Sequence, residues 1–115
     1  MTVAPKALVS AYIAVWNLPD EKRPGAMADV FTADVLYVDP LVATRGLAEL
    51  SDYIGDTRRH FAGSRFVPRD PVNGHHDQIL FGWECGPPDA EPIVAGLDVA
   101  LLDGERIKAI HGFFH

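Results

Sequence analysis

At Gly63 the periodicity of the sequence changes, and this change constrains the fold more than any other feature. Before it, apolar residues recur every three to four positions, which places them along one face of a helix. After it they alternate, as in a strand whose two faces differ, and the alternation runs on toward the last residues. Such a chain lays its helices over the apolar face of its sheet, because no other part of the chain is available to cover it.

Leu8, Ala11, Tyr12, Val15 and Trp16 predict a first helix over residues 4–16, ended by Leu18-Pro19-Asp20. A second helix begins near Pro24 and carries Met27, Val30 and Phe31. Val35-Leu36-Tyr37-Val38 predicts a short strand, stopped at Asp39-Pro40 because proline has no N–H to give a ladder. A third helix runs from about Gly46 to Phe61, with Leu47, Leu50 and Ile54 on one side and a glycine stop at Gly63. Asn73-Gly74 predicts a hairpin between strands 65–72 and 76–85, and Asp103-Gly104 another between 93–102 and 105–114. Gly86-Pro87-Pro88-Asp89 makes the turn between these pairs, while Pro68 and Pro71 put the first strand at an edge or a bulge. The predicted order is α-α-β-α-β-β-β-β. This is an α+β fold in which a cone-shaped, curved antiparallel sheet wraps on three N-terminal helices and leaves a pocket for an apolar small molecule. The outer sheet face would suit a second copy, which predicts a homodimer.

With 115 residues, 48% of them apolar, the chain can bury a core as a single domain without staples. Cys85 is the only cysteine, so an internal disulfide framework and a multi-cysteine zinc site are excluded. A net charge of −6 argues against nucleic acid and anionic lipid as partners, and no apolar run approaches the roughly 20 residues that span a bilayer. With no leader-like start, a cytoplasmic location is expected. His75-His76-Asp77 is a weak metal motif, because neighbouring histidines on a strand point to opposite faces, and no metal is expected. His60 and His111 have no ligand spacing and are expected at the surface or in packing. No phosphate loop, nucleophile elbow or Cys-His pair is present, so covalent catalysis has no candidate.

Three polar residues fall where apolar ones belong. Asp98 shares a strand face with Val94, Gly96, Ala100 and Leu102, so its carboxyl is paired, protonated or turned to a cavity. Asp39 ends a strand, where it could act as a base or bond the backbone of its own turn. Tyr12 lies on the buried stripe of the first helix, where a phenol needs a partner. Trp16, Tyr37, Tyr53, Phe66, Phe81, Trp83 and Phe114 are candidate substrate-binding residues, and Phe113 is expected in the core.

Tyr12-Ile13-Ala14-Val15-Trp16-Asn17, Val38-Asp39-Pro40, the helix opened by Gly46, Gly96-Leu97-Asp98-Val99 and Asp103-Gly104-Glu105-Arg106-Ile107 together resemble the nuclear transport factor two-like superfamily. The closer resemblance is to its SnoaL-like and ketosteroid isomerase-like members. It implies a cofactor-free isomerase in which Asp39 moves a proton beside a ketone, while Tyr12 and a protonated Asp98 donate to the enolate oxygen. The supporting tyrosine network of some isomerases has no matching position, since Tyr53 stands one residue away and would face about 100 degrees off. The same resemblance admits a polyketide cyclase using Asp98 or His76, a hydrolase with an Asp-Arg-Asp arrangement, a dehydratase, or a non-catalytic binding or dimerisation domain. In the non-catalytic case Asp98 would pair with Arg65, Arg69 or Arg106.

Overall fold

The computed structural model describes residues 3–115. Helices α1 (Pro5–Trp16), α2 (Arg23–Val30) and α3 (Leu47–His60) accompany strands β1 (Phe31–Asp39), β2 (Val42–Arg45), β3 (Arg65–His75), β4 (Gln78–Gly86), β5 (Val94–Asp103) and β6 (Arg106–Phe114). The strands form one sheet in the order β2-β1-β6-β5-β4-β3. After the β1–β2 hairpin the chain crosses through α3 to the far edge and returns by a meander of three antiparallel pairings, ending beside β1. That path leaves β1 and β6 running parallel, so the sheet is mixed where an antiparallel one is expected.

The helices cover the concave face, as the change of period requires. Tyr12, Val15, Trp16, Met27, Leu50 and Ile54 pack against Phe31, Val35, Ile79, Phe81, Ile107 and Ile110 in one buried cluster. Prolines open two of the helices, at a place where the missing N–H costs nothing. Arg23 is 2% exposed and ties the helices together, donating to Ser51 O, Leu18 O and Asp20. It needs Gly55, where a Cβ would stand 3.3 Å from Arg23 Nη1 and 3.0 Å from Asp20 Oδ1. No helix among the described residues is long and apolar enough to cross a membrane.

Several expectations shift. Phe31 opens β1 rather than closing α2, and β1 extends back through Thr32-Ala33-Asp34, where an irregularity against β6 interrupts the ladder. Strand β2 is an addition to the predicted order. Asp39 Oδ1 accepts the N–H groups of Leu41 and Val42 and folds the chain back into it. The hairpin expected at Asn73-Gly74 turns instead at His76-Asp77, since Asn73 and Gly74 remain paired with Leu80 and Ile79. His76 takes the left-handed turn at φ 52°, and its ring meets that of His75 with Nδ1 atoms 2.9 Å apart. The two histidines thus face each other rather than opposite sides, and no cluster of three metal-ligating side chains forms among the described residues. The Asp103-Gly104 hairpin lies where predicted, with Asp103 paired to Arg106. Strand β3 is an edge, irregular between Arg69 and Val72 around its prolines. Phe113 projects from the outer face and is 62% exposed, not in the core.

Candidate active site

Between the helices and the sheet lies a cavity of about 460 Å³, within the range of small-molecule sites. Its wall takes Tyr12 and Trp16 from α1, Tyr37 and Asp39 from β1, Tyr53 from α3, and Phe66, Trp83 and Asp98 from the far strands, with Leu41, His60 and Phe114 also contributing. All of the expected substrate-binding residues line it except Phe81, which lies behind Tyr12 at a ring separation of 5.4 Å. His60 belongs to this wall, while His76 stands in the exposed β3–β4 turn.

Asp98 projects inward from β5 because the strand's alternation buries Gly96, Asp98, Ala100 and Leu102 together. It is 3% exposed and has no ion pair among the described residues. The arginines that could have paired with it are engaged elsewhere or exposed: Arg69 holds Glu84, Arg106 donates to Ala28 O, and Arg65 faces solvent. Trp83 Nε1 donates to Asp98 Oδ1 at 2.9 Å, and Tyr12 OH reaches Oδ2 at 3.4 Å. Burial pushes its carboxyl up to about 7; the bonds from Trp83 and Tyr12 pull the other way, and the charge of Asp39 adds to the rise. Burial, then the charge of Asp98, holds the Tyr12 phenol well above its usual range.

Asp39 lies in the same row of the sheet. Gly112 pairs with Asp98, and a Cβ at Gly112 would stand 2.8 Å from Asp98 Oδ1 and 3.5 Å from Asp39 Cβ. The two carboxylates therefore flank a bare stretch of β6. Asp39 bonds the backbone of its own turn and also lines the cavity. Oδ1 holds the β1–β2 turn, and Oδ2 faces the cavity wall, where it accepts Tyr37 OH at 2.8 Å and Tyr53 OH at 2.7 Å. Tyr53 thus does reach the site, against the expected misalignment, but it serves Asp39 and not Tyr12. Burial and its bond to Asp39 keep the Tyr53 phenol protonated.

Asp98 has a consequence for stability. Between its ordinary value and about 7 the folded chain keeps a proton that the unfolded chain has released. Its stabilising contribution is present at low pH and is lost as pH rises through 7. Asp98→Asn is expected to stabilise the fold at pH 8 by an amount on the order of 4 kcal/mol, and by less at pH 5, in urea denaturation. Equal gains at the two pH values would show that the Asp98 carboxyl is not held protonated between them.

A sequence model of the SnoaL-like domain matches residues 9–110. The chain belongs to the SnoaL-like domain family. A proposed isomerase of the SnoaL-like family from Agrobacterium tumefaciens superposes with a TM-score of 0.91 at 29% identity, over 96% of this chain and 97% of that one. A proposed polyketide cyclase from Sinorhizobium meliloti gives 0.72 at 14% identity, covering 92% and 93%. A protein with a ketosteroid isomerase-like fold from Catenulispora acidiphila, in complex with trimethylamine, gives 0.75 at 19%, covering 95% and 85%. The last two show the fold alone, which is that of the nuclear transport factor two-like superfamily. No curated protein matches. Within this SnoaL-like domain the residue missed in the sequence is Gly112.

Proposed function

We propose that this SnoaL-like domain is a cofactor-free proton-transfer isomerase acting on an apolar carbonyl compound. The observation that carries the reading is Asp98, a buried carboxyl with no cation beside it among the described residues, a phenol at its open oxygen and an indole at the other. Because Trp83 occupies Oδ1, the proton of the neutral acid belongs on Oδ2, beside the Tyr12 hydroxyl. Two donors then converge on one ligand oxygen, the arrangement that stabilises an enolate. Asp39, across Gly112, moves the proton between carbon atoms of the same ligand. All four acceptor directions of its carboxylate are in use, so Tyr53, the less buried of its phenols, gives way when the ligand enters. The aromatic wall supplies planar apolar contact and no positive side chain of lysine or arginine.

The experiment is turnover of a bicyclic or steroidal β,γ-unsaturated ketone, followed by absorbance of the conjugated enone. The rate should fall about tenfold per unit as pH rises above 7, because Asp98 loses the proton it donates. A rate that rises through pH 7 would make Asp98 the base, as an aldol-type cyclase would use it. No conversion of any such ketone at any pH removes the isomerase reading.

A further inference from the structure

The catalytic assignments leave one buried group of the cavity wall unexplained. The Trp16 indole N–H has no hydrogen-bond partner among the described residues, although Trp16 is only 5% exposed and forms part of that wall. Buried donors are rarely left unpaired without a reason. Trp16 stands one helical turn from Tyr12 on α1, the two rings meeting edge to face with centroids 6.4 Å apart. The chain's other tryptophan has its bond, from Trp83 Nε1 to Asp98 Oδ1. Each of the two groups assigned to the ligand oxygen therefore has an indole beside it, one bonded and one free.

We infer that Trp16 is a positioning residue whose N–H is reserved for the Tyr12 oxygen, a bond completed when a ligand oxygen takes the Tyr12 proton from Asp98. The inference rests on the reading of Tyr12 and Asp98 as the oxygen-gripping pair. In this structure Tyr12 donates to Asp98 Oδ2 across 3.4 Å, long for a bond between oxygens. A ligand oxygen that accepts the same proton at normal length polarises the phenol and makes its oxygen a better acceptor. Hydrogen bonds in a chain strengthen one another, and the Trp16 N–H is the donor at hand. The chain from Trp16 through Tyr12 to the ligand gains most when that oxygen carries negative charge. Planar enolates and phenolates are therefore held better than the neutral ketones from which enolates form.

The test uses 2-naphthol and naphthalene, which share a planar body and differ by one oxygen. With only two tryptophans, the ¹⁵N-labelled indoles give two NMR cross-peaks, assigned with Trp16→Phe. Saturating 2-naphthol should move the Trp16 indole proton to lower field, and naphthalene should not. This is read on the unaltered chain and does not depend on how well a variant folds. Trp16→Phe, which keeps a ring but loses the N–H, should weaken 2-naphthol binding roughly tenfold more than it weakens naphthalene binding. A Trp16 cross-peak that stays in place at saturation, or a Trp16→Phe effect that is equal for 2-naphthol and naphthalene, overturns the inference. Binding of 2-naphthol that is indifferent to Tyr12→Phe overturns instead the reading on which it rests, and absence of binding overturns both.

Discussion

Asp39→Asn should lower turnover of a β,γ-unsaturated ketone by about three orders of magnitude while leaving the fold intact, because it removes the group proposed to carry the proton between carbons. The substitution is close to isosteric. The new side chain can keep its amide oxygen on the Leu41 and Val42 N–H groups, so the β1–β2 turn survives. Its amide nitrogen would face the Tyr37 and Tyr53 hydroxyls, which can turn and accept instead of donating. Loss of rate with little change in melting temperature is thus the expected pair of results. A variant that keeps its rate would confine Asp39 to holding the turn. A variant that unfolds would show that the Asp39 carboxylate is chiefly structural.

Gly112→Ala is expected to lower kcat/KM by at least about a hundredfold, the size of effect that a misplacement near 1 Å produces in a catalytic group. The added methyl would meet Asp98 Oδ1 at 2.8 Å, the oxygen already held by Trp83. Asp98 has a short side chain pinned at both oxygens, so it must rotate and lose one of its bonds. Alanine is otherwise easily accommodated in a strand, and Gly112 has no positive φ that would strain it. The loss should therefore fall on the rate far more than on stability. Full activity in Gly112→Ala would mean that the orientation of Asp98 does not matter to the reaction.

Much of this architecture was legible from the chain's two periodicities and its punctuation. The helices follow the three-to-four spacing around Tyr12, Met27 and Ile54, and the inward set of β5 follows the parity that singled out Asp98. What failed were local signals overruled by distant ones. Asn73-Gly74 has strong turn chemistry, yet the irregularity near Pro71 and the inward placement of Ile79 and Phe81 set the register, carrying β3 past that pair. Tyr53 looked misaligned because helical spacing fixes a direction and not a reach; from α3 its hydroxyl still meets Asp39. The parallel pairing of β1 with β6 was beyond periodicity altogether, since alternation gives the faces of a strand and not its neighbours. Gly112 was silent for a related reason, as its importance comes from two carboxylates on other strands.

The parallel junction also bears on how the domain assembles. Leu36 lies against Ala109 and Val38 against His111, so β1 waits for the whole of the intervening chain before it acquires its inner neighbour. Contacts of that separation carry the greatest loop-closure entropy and come at the expense of folding speed. Strand β6 also supplies the bare stretch between Asp39 and Asp98, so the two carboxylates are brought to either side of it only when this long-range pairing closes. A ligand that needs both carboxylates therefore favours the finished state by mass action.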